Sequence, residues 1–92
     1  MKLYFAGKEL NSEKDLSTTR EFGFDVTLTF TNNSPHNGVM RTYHNIEKIL
    51  FMNVAVKKVY LRSDHHKASQ YLDVSVIEKI NVEPATKFNE TF

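Results

Sequence analysis

A strict alternation of apolar and polar residues constrains the fold more than any other feature of this chain. Between residues 24 and 30, Phe24, Val26, Leu28 and Phe30 alternate with Asp25, Thr27 and Thr29. A period of two is typical of a β-strand with one face buried and the other in water. Asparagine, proline and glycine then crowd into Thr31–Gly38, which predicts a turn followed by a hairpin partner. Antiparallel β structure is therefore expected.

Chain length limits the number of cores. With 92 residues, of which 40% are apolar, the chain suits one compact domain. We predict a single domain over residues 1–83 and a flexible C-terminal tail over 84–92, because Pro84 removes a backbone donor and mostly polar residues follow it. The predicted fold class is mainly β: a single small antiparallel sheet or barrel-like domain of about five to six strands, with room for one short helix. An α+β fold is the alternative.

The segment after the turn cluster has two interpretations. Its apolar residues lie at helical spacing, at Val39, Tyr43, Ile46 and Leu50. Residues 39–44 also alternate as a strand would, and the hairpin needs a partner there. We therefore predict a strand over Val39–His44 and leave open whether 46–52 is helix or strand.

An internal repeat contributes to the predicted core. Ile-Glu-Lys-Ile occurs at 46–49 and again at 77–80, and each copy is interpreted as a tight turn that leads into a strand, with both isoleucines facing inward. Together with the alternating strand, this predicts a core of Phe24, Val26, Leu28, Phe30, Ile49, Val59, Leu61, Ile77 and Ile80.

The sequence offers little for catalysis or cofactor binding. There is no cysteine, and the three glycines form no phosphate-binding loop. Ser63–Lys67 gathers serine, aspartate and histidine, but neighbours in an extended chain point to opposite faces, whereas a triad is assembled from distant segments. The histidines lack the spacing of a zinc site. We expect a protein that is not an enzyme and that needs no cofactor or metal.

Basic residues cluster in one stretch of the chain. The formal net charge of +1 gives no overall attraction to nucleic acid or membranes, so binding has to come from such clusters. The residues predicted to bind a partner are Lys57, Lys58, Tyr60, Arg62, His65, His66 and Lys67. They are interpreted as a positively charged sheet edge that meets phosphates or an acidic protein surface. The alternative is that lysines on an edge strand only discourage aggregation.

A second polar group is a candidate ligand pocket, formed by Arg41, Tyr43, His44 and Asn45. Arginine beside an aromatic ring is suited to a nucleotide, since the ring stacks on the base and the guanidinium pairs with the phosphate. The alternative is that Tyr43 belongs to the core and the other three residues decorate a strand.

Three segments carry a resemblance to a known class. Tyr43–Ile49, Lys58–Asp64 and Asp73–Val82 resemble the layout of small β-rich proteins of phages and mobile elements, in which an Asn-Ile-x-x-Ile step, a Val-x-Leu strand and a closing Ile-x-x-Ile strand follow one another. The resemblance covers residues 39–83. It implies a phage accessory protein, a class that includes anti-CRISPR proteins and sponges for signalling nucleotides, and it assigns a role to no individual residue.

The expected function is therefore stoichiometric binding of a host protein, in the manner of an anti-defence inhibitor. The alternatives are a nucleotide sponge, in which Arg41, Tyr43 and Arg62 line a pocket between protomers, and a small nucleic-acid-binding module. The N-terminal apolar run is too short for a signal peptide, so a cytoplasmic protein without membrane contact is expected. Self-association stays open, because a domain of this size gains stability from it.

Overall fold

The computed structural model describes residues 1–11, 13–32, 35, 38–53 and 55–92. Within these ranges the chain forms nine strands and one 3₁₀ turn. They are β1 (Lys2–Phe5), β2 (Lys8–Leu10), β3 (Leu16–Ser17), β4 (Phe24–Phe30), β5 (Met40–Ile46), β6 (Lys48–Asn53), β7 (Lys57–Ser63), β8 (Ala68–Asp73), the 3₁₀ turn Val74–Val76, and β9 (Ile77–Pro84). The mainly β class is confirmed, and residues 48–53 are strand.

The strands form two sheets, whereas the sequence predicts a single antiparallel sheet or a barrel-like domain. One has the order β2-β1-β9-β4-β5 and the other the order β3-β6-β7-β8. All pairings are antiparallel except that of β1 with β9, which is parallel. The prediction of fewer strands was wrong because short segments such as β2 and β3 carry too few residues to show a period.

The core draws side chains from both sheets. All nine residues predicted for it are at most 5% exposed, and Leu3, Tyr43, Ile46 and Val82 join them. The hairpin predicted from the alternation is present as β4 and β5, with Val26 opposite Tyr43 and Leu28 opposite Arg41. The turn residues Asn33, Ser34, His36 and Asn37, together with Val54 before β7, lie outside the described residues.

A register shift explains how Ile77 and Ile80, three positions apart, share one face. In β9, Ile80 is opposite Leu28 while Ile77 is opposite Phe30, so Glu78 is an extra residue on this strand. Side chains three positions apart on a regular strand point to opposite faces. The extra residue in the bulge allows both of these side chains to point into the core. The second copy of the repeat therefore lies within a strand and not in the predicted turn. The first copy does span a change of strand, at Glu47 between β5 and β6.

The C-terminal segment 85–92 packs against the domain, whereas the sequence predicts a frayed tail. Ala85 is buried, and its N–H donates to the Gly23 carbonyl at 2.9 Å. The Phe92 carbonyl accepts from the His44 N–H at 3.0 Å, and its ring lies 5.3 Å from the ring of Tyr43. Pro84 thus ends the strand pairing without releasing the chain. Over the described residues, no helix is long and apolar enough to cross a membrane.

Candidate functional site: the outer face of the four-stranded sheet

The basic cluster lies on a sheet face and not on a sheet edge. β7 is an interior strand, paired with β6 on one side and with β8 on the other. The predicted edge was therefore wrong, and the anti-aggregation interpretation of Lys57 and Lys58 loses its basis, since both edges of β7 are already paired. Alternation along the strand buries Val59 and Leu61 and directs Lys58, Tyr60 and Arg62 to the opposite side.

Neighbouring strands extend this side into a surface of three rows, which we call the outer face. The pairing places Lys48, Arg62 and Ser69 in the first row, Leu50, Tyr60 and Tyr71 in the second, and Met52, Lys58 and Asp73 in the third. The rings of Tyr60 and Tyr71 are in contact, with centroids 4.7 Å apart and planes inclined by 39°. An aromatic and aliphatic row therefore runs across the sheet between two rows that contain cations.

A shallow apolar depression of about 250 Å³ lies beside the aromatic row. It is lined by Met52, Ala55, Val56, Lys58 and Tyr71. Val56 is 57% exposed and Tyr71 is 52% exposed, and both line the same depression, so they form a contiguous apolar patch and not scattered exposed side chains. Sequence inspection missed Met52, Val56 and Tyr71 because they belong to different segments, and only the strand pairing brings them together.

Charges of both signs surround the apolar centre. Lys58 Nζ lies 3.8 Å from Asp73 Oδ1, and Arg62 Nε lies 3.1 Å from Asp64 Oδ1. These side chains are roughly half exposed, and ion pairs of this kind contribute about 0–1 kcal/mol to folding. Both pairs can therefore rearrange towards a partner at little cost in stability.

The remaining members of the predicted cluster have other surroundings. Lys57 is exposed at the start of β7 and has the opposite strand parity to Lys58, and Lys67 occupies the turn before β8 with a φ of 50°. The His65 ring contacts Glu47 through Nδ1 and Oε1, and the other Glu47 oxygen accepts from the Asp64 N–H at 2.6 Å. This buried carboxylate thus holds the turn from inside the domain.

His66 also contributes to packing. Its ring stacks on Phe88 at 5.2 Å and lies 5.8 Å from Phe92, under the C-terminal segment. The backbone N–H of His66 donates to the Ser63 hydroxyl, which in turn donates to the Asn45 carbonyl at 2.7 Å. The Ser63 side chain is buried and both of its hydrogen bonds are to backbone, so the serine and histidines do not form a nucleophilic arrangement.

The four residues of the predicted ligand pocket do not face a common space. Tyr43 is 2% exposed and Asn45 is fully buried, whereas Arg41 is exposed and stacks over the Tyr43 ring with its guanidinium 4.4 Å from the centroid. His44 points to the other side of β5, where Nδ1 lies 3.2 Å from Asp25 Oδ1. Burial raises the pKa of the Tyr43 hydroxyl above 10.0, against a smaller opposing effect of Arg41. The proposed sponge residue Arg62 lies in the other sheet.

Asn45 is the centre of a buried polar network, which we call the Asn45 cluster. Its side-chain amide donates to the carbonyls of Phe22 and Lys87 at 2.9 and 3.0 Å, and its side-chain oxygen accepts from the Asn89 N–H at 3.0 Å. The backbone has a φ of 56°, a left-handed conformation that asparagine tolerates better than most residues. The bulge opposite Asp25, between Tyr43 and Ile46, places this residue inward. Asn45 therefore holds the C-terminal segment in place.

A larger cleft of about 800 Å³ adjoins the first row of the outer face. It is lined by Ser17, Thr18, Thr19, Arg20, Glu21, Glu47, Lys48, Arg62, Asp64 and His65. Its charged groups are mixed in sign. Among the described residues, no group of three or more histidine, aspartate or glutamate side chains could hold a metal ion.

Comparison with protein-family models, with curated proteins and with solved structures finds no match to this chain. The chemistry of the outer face is therefore the main guide to function.

Proposed function

We propose that this protein is a non-enzymatic binding domain that inhibits a host protein by stoichiometric contact through its outer face, as a phage-type accessory protein acting in the host cytoplasm. The observation that supports this most is the exposed aromatic and aliphatic row, in which Tyr60 and Tyr71 lie side by side beside an apolar depression. Tyrosine, methionine and arginine are enriched in protein interfaces, and an apolar centre within a charged rim is their usual anatomy.

The rim indicates the chemistry of the partner. One side of the aromatic row carries Lys48 and Arg62, and the other carries Lys58 beside Asp73. A complementary partner presents an apolar projection to the depression and carboxylates towards Lys48 and Arg62. Such complementarity contributes to association rate and to rejection of wrong partners more than to affinity itself.

The apolar part of the proposal is tested with a partner captured from bacterial lysate and then purified. Tyr71→Ser should weaken binding at least tenfold in calorimetric titration, because truncating a central interface aromatic costs on the order of 2 kcal/mol. Tyr4→Ser is the matched control: Tyr4 lies in the other sheet, on strand β1, and contacts Lys79. Equal weakening by both variants, or by neither, would contradict a binding role for the outer face.

The charged part is tested by reversal of three cations. Replacing Lys48, Lys58 and Arg62 with glutamate should slow association and invert its salt dependence, while the fold is retained because exposed charges contribute little to stability. Replacing Lys2, Lys8 and Lys79 in the five-stranded sheet gives the same change of net charge away from the outer face. The sequence predicts Lys57 as a partner-binding residue beside Lys58 and Arg62. Lys48 replaces Lys57 in this variant because, of these two lysines, only Lys48 lies on the same face as Arg62.

A second candidate function is binding of a signalling nucleotide or of single-stranded nucleic acid. The half-exposed ring of Tyr71, with cations in both flanking rows, is the arrangement of a stacking platform. Affinity for oligonucleotides would then fall steeply with salt, and Tyr71→Phe would retain binding that Tyr71→Ser loses. Affinity that does not change with salt would exclude this candidate.

A further inference from the structure

We propose that the free edge of β8 pairs with the β8 edge of a second copy of this chain, which forms a two-fold symmetric dimer with a continuous eight-stranded sheet. β8 ends the order β3-β6-β7-β8 and pairs only with β7 among the described strands. This proposal goes beyond partner binding and does not depend on it.

The β8 edge lacks the features that usually protect a strand edge. Ala68–Asp73 is six residues long, pairs with β7 without a register shift, and contains no proline, lysine or arginine. Natural proteins protect exposed edges with short strands, bulges, prolines and lysines, and a long regular edge without them is suited to pairing with another chain.

The other sheet edges do carry such protection. β2 has three residues, including Lys8, and β3 has two. The β5 edge is bulged near Asn45, and the Phe92 carbonyl already accepts from the His44 N–H. β8 is therefore the edge best suited to accept a strand.

The backbone indicates which residues of β8 face the free edge. The Arg62 carbonyl accepts from the Glu47 N–H at 2.9 Å, so Arg62 directs its backbone groups towards β6, and Ser69, which lies opposite Arg62 in the β7–β8 pairing, directs its own away from β7. The Tyr71 carbonyl has only a long contact of 3.4 Å with the Gln70 side chain. Because successive strand residues direct their backbone groups to opposite sides, Ser69 and Asp73 face the free edge together with Tyr71. A partner strand would replace the weak Gln70 contact with ladder hydrogen bonds.

The register follows from these three residues. When the two-fold axis passes midway between the Tyr71 residues of the two copies, Tyr71 lies opposite Tyr71 of the second copy. Ser69 then lies opposite Asp73 of the second copy. All three outward residues then form hydrogen-bonded pairs, and no like charges are opposed. If the axis passed at any other residue, at least one of Ser69, Tyr71 and Asp73 would have no β8 residue of the second copy opposite it.

Charge and packing also favour a second copy as the occupant. The aromatic row would continue from one protomer into the other, so that the contact between Tyr60 and Tyr71 is followed by one between the two Tyr71 rings. The formal net charge of +1 gives little repulsion between copies. The outer faces stay open on the same side of the joined sheet, and a dimer would present two of them to a partner.

The oligomeric state of the full chain tests the proposal, with mass measured by light scattering and sedimentation from micromolar to millimolar concentration. The expected result is a shift to twice the monomer mass, together with slower hydrogen exchange of the β8 amides as concentration rises. A monomer throughout this range would overturn the proposal, as would an open series of larger species, because a two-fold interface closes at two copies.

Charge at Ser69 tests the register. Ser69→Lys places an ammonium opposite Asp73 of the second copy and should strengthen the dimer roughly threefold or more, whereas Ser69→Asp opposes two carboxylates and should weaken it by a similar factor, since exposed cross-strand charge pairs have effects of this size. Ser17→Asp is the control, because Ser17 is exposed on β3, at the opposite edge of the same sheet. Equal effects of Ser69→Lys and Ser69→Asp would overturn the assignment to this edge.

A proline at the same position tests the edge without a change of charge. Ser69→Pro removes an outward N–H and should abolish the dimer without unfolding the monomer. A dimer that persists would also overturn the assignment to this edge.

Discussion

The outer face and the Asn45 cluster have opposite relations between residue type and burial. The outer face exposes Tyr71 and Met52 to solvent, while the Asn45 cluster buries an asparagine side chain completely. Both depart from the usual partition of apolar residues inside and polar residues outside. The buried asparagine is fully explained by its three side-chain hydrogen bonds within the domain. The exposed tyrosine and methionine have no such internal explanation, and for that reason the outer face is the better candidate for a contact with another molecule.

The same comparison separates residues that are neighbours in the sequence. Arg41–Asn45 looks like one polar group, but the structure assigns Tyr43 to the core, His44 to the opposite side of β5 and Asn45 to the buried network. Nearness along an extended chain is thus a weak guide to a site. Strand pairing, which places Tyr71 beside Tyr60, is the stronger one.

The largest effect is expected from removing the amide of Asn45. Asn45→Ala leaves two carbonyls and one N–H of the Asn45 cluster without their partner, and each buried unsatisfied group costs about 1–3 kcal/mol. The free energy of unfolding should fall by about 3 kcal/mol or more, measured by urea denaturation followed by circular dichroism. For a domain of this size such a loss could prevent folding at ordinary temperature.

Two further variants keep this prediction interpretable. Asn45→Gly suits the left-handed backbone and should be less damaging than Asn45→Ala by up to about 1 kcal/mol, which separates backbone strain from lost hydrogen bonds. Asn81→Ala removes a surface amide that contacts Glu83 Oε1 at 3.3 Å and should change stability by less than about 0.5 kcal/mol. Similar losses for Asn45→Ala and Asn81→Ala would show that the buried network is not what holds the C-terminal segment.

A smaller loss is expected at the end of the chain. The Phe92 ring is partly buried and contacts Tyr43 and His66, so Phe92→Ala should cost about 1–2 kcal/mol, less than the amount typical of a fully buried phenylalanine. Thermal unfolding measures the loss, and Met40→Ala is the control because Met40 is 63% exposed. If Phe92→Ala behaved like Met40→Ala, the segment after Pro84 would be the frayed tail that the sequence predicts.

The alternation of apolar and polar residues made the core residues of β4 predictable. Phe24 to Phe30 alternate within one continuous strand, so their burial follows from local sequence alone. The inward direction of Ile46 beside Tyr43, and of Ile80 beside Ile77, depends on bulges that reset the alternation. A bulge is determined by the partner strand, and its position has no signal in a single sequence.

The candidate site was only partly predictable for a related reason. Lys58, Tyr60 and Arg62 were found because they belong to one strand, and they do share one face. Lys48, Leu50 and Tyr71 complete the outer face from β6 and β8, and their selection requires the register between strands. The packing of the C-terminal segment was missed because its partner, Asn45, resembles an ordinary surface residue in the sequence.

Truncation of an exposed aromatic should affect stability far less than truncation of the buried amide. Tyr71→Ala is expected to cost less than about 1 kcal/mol, since it removes only the surface contact with Tyr60 and a half-exposed ring. Urea denaturation of this variant beside Asn45→Ala gives the direct comparison. A loss above about 2 kcal/mol would mean that the aromatic row is needed for folding, and its exposure would no longer argue for a partner.

The smallest effect concerns Tyr43, and it is confined to alkaline solution. Burial raises the pKa of Tyr43 above 10.0 in the folded chain, while the unfolded chain titrates near the ordinary value. Above that pH the unfolded state loses the proton first, so it binds fewer protons than the folded state and the free energy of unfolding falls as pH rises. The stabilisation that the raised pKa gives is complete below pH 10.0. It then decreases by at most about 1.4 kcal/mol per pH unit until the folded group also ionises.

Tyr43→Phe should therefore show a shallower decline in the free energy of unfolding between neutral and strongly alkaline pH, measured by urea denaturation at a series of pH values. Tyr71→Phe is the control for loss of a phenol hydroxyl on the exposed side of the domain, and identical alkaline slopes for wild type and Tyr43→Phe would contradict the burial of this hydroxyl.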